Sequence, residues 1–295
     1  MALIGSIHIV GARVDLEPAT LVRMPSRIDG SETMEPLSDP SLQQPLVNLL
    51  LSVADDKLIL GHRNSDWTGL GPILEEDIAF SALAQDEIAH AQALYALAGS
   101  LIGKTADQLA FGRLPGEFRC AQIVELPDEF DWATALVRQF FCEHFDRLRL
   151  NRLAQSSWKP LASLAKRLAA EEVIHVEHAD QWMARLGTGS EESRARLQKA
   201  IDSLSPLASS LLEPVEGQEQ LEQSGLYPLI QNDPDPFARW ERELRDVARQ
   251  SHLSLKLERT AEQAQGGRWG KHTPHLKELL EEMCEVYRLE PDAAW

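Results

Sequence analysis

Apolar residues recur at helical spacing along four long stretches of the chain, and two of those stretches carry the same polar pair within the apolar stripe. Each pair is a Glu-x-x-His: Glu87 with His90, and Glu172 with His175. Residues three apart in a helix lie on one face, so each pair faces the same way as the apolar residues around it. The pattern predicts amphipathic helices at about 73–102 and about 160–187 that direct these side chains into the core.

The apolar stripes continue on both sides of the polar pairs. One stripe consists of Ile73, Phe80, Leu83, Leu94, Leu97 and Leu101, and the other of Leu161, Ala165, Leu168, Ala179, Trp182 and Leu186. Burying a polar group without a partner costs roughly 2–7 kcal/mol, and burying a charge costs more. Glu87 and Glu172 therefore need compensation, and a metal cluster would provide it.

Two further stripes carry one carboxylate each. Glu143 lies 29 residues before Glu172 in a stripe that predicts a helix at about 131–156. Asp56 lies 31 residues before Glu87 in a stripe that predicts a helix at about 43–62. Asp55 fits an alternative stripe of that first helix almost as well, so Asp56 is favoured but Asp55 stays open. The two halves of the chain thus repeat one plan.

This arrangement predicts a four-helix bundle around a dinuclear metal centre. The expected ligands are Asp56, Glu87, His90, Glu143, Glu172 and His175. Nitrogen and oxygen ligands suit iron or manganese. Because ligand imidazoles usually donate their second N–H to a carboxylate, we expect Asp86 to reach His175 and Glu171 to reach His90, with Asp55 also beside the ligands. The alternatives are surface salt bridges for these carboxylates and, for the whole pattern, a buried polar network without metal.

The rest of the chain predicts an arm and further helices. Residues 1–42 form a predicted N-terminal arm with a strand-like piece at 7–14, and residues 43–295 form one predicted helical domain. Three more helices are expected at about 190–213, 236–263 and 274–288. An acidic, Pro-containing linker separates the first two of them.

Composition narrows the function. The chain has 295 residues and a formal net charge of −17, which argues against binding to nucleic acid. No apolar run is long enough to cross a bilayer, and the three cysteines show no metal-like or disulfide-like spacing, so we expect a cytoplasmic protein. A basic stretch on two bundle helices would suit an anionic substrate or form a solvated face; it comprises Arg138, Arg147, Arg149, Arg152, Lys166 and Arg167.

The run Ala84-Gln85-Asp86-Glu87-Ile88-Ala89-His90-Ala91 resembles the phenylacetic acid catabolic family, the ferritin-like subunits of bacterial ring 1,2-phenylacetyl-CoA epoxidase. The resemblance extends from about residue 43 onward. Segments 58–67, 74–77 and 266–276 look most like the C subunit, which resembles a partner that has lost its metal ligands. The ligand candidates Glu87, His90, Glu143, Glu172 and His175 instead fall on positions of the iron ligands in the catalytic A subunit. Asp56 or Asp55 stands where that subunit has a Glu.

This resemblance implies an all-α, ferritin-like four-helix bundle with additional C-terminal helices. It also implies two iron ions, with Glu87 and Glu172 as the catalytic carboxylates, and oxygenation of an aromatic coenzyme A thioester. The implied partners are an A-like subunit or a second copy of the chain, and a flavin and iron–sulfur reductase. The alternative is a non-catalytic scaffold for a catalytic partner. A stand-alone ferroxidase is disfavoured by the extra C-terminal helices.

Overall fold

The computed structural model describes residues 37–230, 235–259 and 266–291. These residues form helices joined by turns, with no strand among them, so the fold is all-α as predicted. The strand-like piece at 7–14 and most of the predicted arm lie outside the described residues.

Four long helices form the frame. They are α1 (Gln43–Ser65), α2 (Leu74–Ile102), α5 (Trp132–Leu153) and α6 (Lys159–Gly187). Short helices α3 (Ala106–Ala110) and α4 (Gln122–Glu125) connect α2 to α5. Helix α2 ends at Gly103, which adopts φ +69°, a left-handed conformation that glycine accepts readily. Helix α6 begins with Pro160 in its first turn, where the missing amide hydrogen has no cost.

The later helices are shorter than the sequence pattern predicts. They are α7 (Glu191–Ala208), α8 (Gln218–Gln223), α9 (Pro236–Gln250), α10 (Pro274–Met283) and α11 (Glu285–Leu289). The prediction of a helix to residue 263 was wrong within the described residues, because α9 stops at Gln250. Beyond it Leu253, Leu255 and Leu257 are buried and alternate with exposed residues. That period of two is typical of extended backbone and not of a helix.

Packing pairs the four long helices into a ferritin-like bundle. Helix α1 packs along α2, α5 packs along α6, and α2 also contacts α6. Helices α7 and α9 cover the outside of α5. Helices α1 and α5 are the most deeply buried, and every residue of α1 from Pro45 to Gly61 is buried. Among the described residues, no helix has both the length and the apolar character needed to cross a membrane.

Candidate functional site in the bundle core

Four of the predicted metal ligands meet at the centre of the bundle. Glu87 from α2, Glu143 from α5, and Glu172 and His175 from α6 each offer one donor atom, and these atoms all lie within 4.8 Å of one another. All four side chains are buried. Glu87 on α2 and Glu172 on α6 thus approach the same point from two helices that contact each other.

A lysine ammonium group occupies the middle of these acids. Lys57 extends from α1, and its Nζ lies 2.9 Å from Glu87 Oε1 and 2.7 Å from Glu172 Oε2. It also lies 2.7 Å from Asp146 Oδ2 on α5, and 3.9 Å from Glu143 Oε2. The lysine side chain is fully buried. Helix α1 therefore contributes a cation to the centre of the bundle, where the sequence pattern predicts a carboxylate.

The two aspartates of α1 point away from this group. Asp56 forms ion pairs with Arg149 at 2.6 Å and with Arg268 at 2.8 Å, and it also accepts the Ala121 amide. Asp55 accepts hydrogen bonds from the Tyr95 hydroxyl, the Arg113 guanidinium and the Arg119 amide.

Both aspartates are thus engaged by basic or hydroxyl partners, and neither belongs to the converging donor group. Ligation by either of them stays a prediction, and the structure gives it no geometric support.

His90 lies at the edge of the group. Its Nε2 is 2.6 Å from Glu171 Oε2, and its ring stacks against the His175 ring at 5.8 Å. Burial and the nearby Lys57 ammonium lower the pKa of His90 to about 4, so the ring is neutral at pH 7. On the other side, His175 Nε2 lies 3.5 Å from Asp86 Oδ2. These are the two cross-bundle pairs expected above; their role in orienting metal ligands stays a prediction.

The charges at the centre are balanced by side chains of the protein itself. Burial alone would lower the pKa of Lys57, but Asp146, Glu172, Glu87 and Glu143 together raise it well above its usual value. Burial also opposes ionisation of His175, yet Glu143 and Asp86 raise its pKa. Both groups are therefore cationic at neutral pH.

The pKa values of two of the buried acids, Glu143 and Glu172, shift in opposite directions. Burial would raise the pKa of Glu143, but the Lys57 ammonium and His175 lower it below its usual range. Burial and the neighbouring Glu143 raise the pKa of Glu172 well above its usual value, although Lys57 opposes this. The pKa values of Glu143 and Glu172 are thus pushed apart, with that of Glu143 lowered and that of Glu172 raised.

A pair of metal ions does not fit this arrangement. Lys57 Nζ lies between the Glu87 and Glu172 oxygens that would bridge the ions, and the first helix supplies no converging carboxylate. Buried basic groups already accompany the buried carboxyl groups here; the acids are Asp56, Glu87, Glu143, Asp146 and Glu172, and the bases are Lys57, Arg149, His175 and Arg268. Two further divalent cations would have to share acids that already pair with the Lys57 ammonium.

One feature nevertheless resembles a ligand set. Glu87 Oε2, both oxygens of Glu143, Glu172 Oε1 and His90 Nδ1 are buried and have no hydrogen-bond partner. Unpartnered buried acceptors are uncommon in proteins and call for an explanation such as a bound water or ion.

The sequence pattern missed the residues that decide this site. Lys57 was not singled out, because α1 is buried on nearly all sides and its apolar stripe does not distinguish which residue faces the centre. Asp146 was also missed, although it follows Glu143 by one turn and therefore shares its face. The sequence did carry one signal for Lys57: it is the one cationic residue between Gln43 and Gly61, inside a helix that is otherwise mostly apolar.

The basic stretch on α5 is not an open anion-binding face. Arg138 is buried against Asp128, Arg149 pairs with Asp56 and Asp146, and Arg152 pairs with Glu222. These guanidinium groups neutralise the buried Asp56, Asp128 and Asp146 and the half-buried Glu222. Four aromatic side chains of the bundle helices, Phe80, Phe140, Phe141 and Trp182, are buried.

Comparison with known proteins agrees with this architecture. The sequence profile described as phenylacetic acid catabolic protein matches residues 33–295. The chain belongs to this family. It is 30% identical over 247 residues to the C subunit of 1,2-phenylacetyl-CoA epoxidase from Escherichia coli (strain K12), an alignment that covers 83% of this chain and 97% of that relative. The resemblance read from the sequence is therefore confirmed at the level of the family.

Proposed function

We propose that this chain is a non-catalytic subunit of an oxygenase complex of the phenylacetyl-CoA epoxidase type, and that its bundle is held together by Lys57 in place of metal. The observation that carries the proposal is the Lys57 ammonium between Glu87 and Glu172. An ammonium at that position satisfies the same carboxylates that metal ions would satisfy. It has no vacant coordination position and cannot bind dioxygen or exchange electrons.

The relative's name supports the wider assignment. A match to a C subunit that covers nearly all of that relative favours the corresponding place in a complex for this chain. In such a complex a catalytic, A-type ferritin-like subunit would carry the iron and oxygenate phenylacetyl-CoA or a related aromatic thioester. A flavin and iron–sulfur reductase would supply electrons to that subunit. In this complex the present chain would offer a rigid helical surface to the catalytic subunit.

A test in the assembled complex separates a scaffold from a catalyst. Glu172→Gln replaces a carboxyl group whose pKa is raised well above its usual value by an amide of the same shape, so the bundle should keep its fold. Co-expressed with an A-type subunit and a reductase, the variant complex should turn over phenylacetyl-CoA at the wild-type rate. A drop of about 100-fold or more, with the complex still assembled on size-exclusion chromatography, would show that this core is catalytic.

The unpartnered acceptors favour a second candidate, in which Lys57 withdraws and the core takes up iron to become a catalytic centre. Anaerobic loading with ferrous ion and metal analysis distinguish the two. We expect no stoichiometric iron in the wild-type core. The Cys120→Ser variant removes a thiol outside the bundle core that could bind iron by itself. Two irons per chain in this variant would therefore favour the second candidate and contradict the scaffold proposal.

A further inference from the structure

Three metal-binding side chains meet at a second place, outside the bundle core. Cys120 lies just before α4, Glu125 is the last residue of α4, and His272 lies two residues before α10. Cys120 and His272 are 152 residues apart in sequence, so spacing along the chain gives no sign of the group. Cys120 and Glu125 are fully buried, and the His272 side chain is 5% exposed. We name this group the Cys120 triad.

The donor atoms of the Cys120 triad lie close to the positions of three ligands in a tetrahedral zinc site. Cys120 Sγ is 3.8 Å from His272 Nδ1 and 3.7 Å from Glu125 Oε1, and Nδ1 and Oε1 are 2.6 Å apart. Zinc bonds of about 2.3 Å to sulfur and about 2.0–2.2 Å to nitrogen or oxygen give tetrahedral edges of roughly 3.3–3.6 Å. Two edges are already within about 0.3 Å of those values, and the third must open by about 0.7 Å.

Hydrogen bonds orient the imidazole for ligation. His272 Nε2 lies 3.1 Å from the Phe118 carbonyl oxygen, which can only accept, so Nε2 carries the hydrogen. His272 Nδ1 faces Glu125 Oε1 at 2.6 Å, a contact that is favourable only with a proton or a metal cation between the two atoms. Glu125 Oε2 is occupied separately by the Thr273 amide and hydroxyl, each at 2.7 Å. The backbone carbonyl on the distal nitrogen is the usual outer partner of a metal-bound histidine.

The loop that carries His272 is fitted closely to the segment that carries Cys120. A Cβ at Gly267 would lie 2.3 Å from the Cys120 carbonyl oxygen, and one at Gly270, where φ is +77°, would lie 2.2 Å from the Gly116 oxygen. Only glycine permits both approaches. Arg268, between these glycines, is buried against Asp56. The three donors are therefore held by a rigid frame, as a metal site requires.

We propose that the Cys120 triad binds one zinc ion, with a water molecule as fourth ligand. Sulfur, nitrogen and carboxylate oxygen together suit zinc better than magnesium or calcium, which take oxygen ligands. Burial and the Glu125 carboxylate raise the pKa of the Cys120 thiol, so a bound cation would have to displace the thiol proton. The site lies outside the bundle core, and the proposal does not depend on the role of the core.

Zinc titration of the full-length protein tests the proposal. The protein is stripped with a chelator, and zinc is added in competition with a chromogenic chelator, for wild type, Cys120→Ser and Cys284→Ser. Cys284 is the matched control, a buried free cysteine outside the triad. We expect one zinc per chain in wild type and in Cys284→Ser, and an affinity at least about tenfold lower in Cys120→Ser. Cys120→Ser keeps the contact between Glu125 and His272, so the loop retains its attachment.

Cobalt substitution adds a readout that loss of folding cannot imitate. Cobalt in the wild-type site should give a thiolate-to-metal absorption band, and Cys120→Ser should lose that band while keeping its circular dichroism spectrum. Equal zinc affinity in the two cysteine variants, absence of a thiolate band in wild type, or absence of stoichiometric zinc in wild type would each overturn the proposal.

Discussion

Replacing Lys57 by methionine should destabilise the chain strongly, and more at neutral pH than in mild acid. Methionine fills nearly the same volume but removes the charge. Lys57 Nζ contacts three carboxylate oxygens within 2.9 Å in a fully buried position. Removing one partner of a buried ion pair typically costs 3–5 kcal/mol, because the remaining charge is left without compensation. We therefore expect the free energy of unfolding at pH 7 to fall by about 3–5 kcal/mol.

The pH dependence follows from the acids that lose their cation. Without Lys57, the pKa values of the facing carboxyl groups rise above their values in the unfolded chain. Such groups cost stability at higher pH, and that cost disappears as the pH falls through their folded-state pKa. The deficit of the variant relative to wild type should therefore be smaller at pH 5 than at pH 7.

Urea unfolding followed by far-UV circular dichroism at the two pH values measures both effects. Lys166→Met is the control, because Lys166 is an exposed lysine on α6, and it should change stability by less than about 0.5 kcal/mol. A Lys57→Met deficit below about 1 kcal/mol at pH 7 would refute the reasoning, as would a deficit that does not shrink in acid.

Three further predictions concern the surroundings of the core. A double-mutant cycle with Asp56→Asn and Arg268→Met should give a coupling energy of about 1–3 kcal/mol in urea unfolding, because their two side chains share two hydrogen bonds of 2.8 Å in a buried site; additive effects would contradict this. Gly267→Ala should lower stability by about 1–3 kcal/mol in the same assay, since its Cβ would collide with the Cys120 carbonyl; an unchanged midpoint would contradict this. His144 has its pKa raised despite burial by hydrogen bonds to Asp180 and Glu243, so its stabilisation is complete below about pH 6.5 and lost as the pH rises through the folded value. The deficit of His144→Gln in thermal unfolding should accordingly be larger at pH 6 than at pH 9, and a deficit independent of pH would exclude the ion pair.

The four-helix bundle and most of its inward polar residues follow from the sequence because the stripes on α2 and α6 are one-sided. The buried apolar residues of each helix fall on one face in phase with Glu87 and Glu172, which identifies these two as core residues, although Ile78, Ile88 and Ile174 are exposed elsewhere on the helices. The same argument places Glu143 on α5. The helical period of the apolar residues and the spacing of the polar pairs are local properties of the sequence, so they can be predicted without knowing the tertiary contacts.

The identity of the α1 residue at the centre of the bundle could not be predicted in the same way. Asp55, Asp56 and Lys57 are consecutive and all buried, so the stripe does not tell which of them faces the acids. The answer depends on Arg149 and Arg268, which draw Asp56 away from the centre and come from distant parts of the chain. Contacts of that kind have no signature in spacing. The Cys120 triad escapes sequence analysis for the same reason.

The Arg268 guanidinium reaches into the bundle and meets Asp56, a residue that precedes it by 212 positions. During synthesis, α1 therefore leaves the ribosome long before the cation that neutralises its buried aspartate exists. Until then, an N-terminal fragment containing the four long helices would hold an Asp56 carboxylate paired with Arg149 and not with Arg268. Completion of the core is thus tied to the last tenth of the chain, and a nascent or clipped molecule lacking that loop would be a natural target for chaperones and proteases.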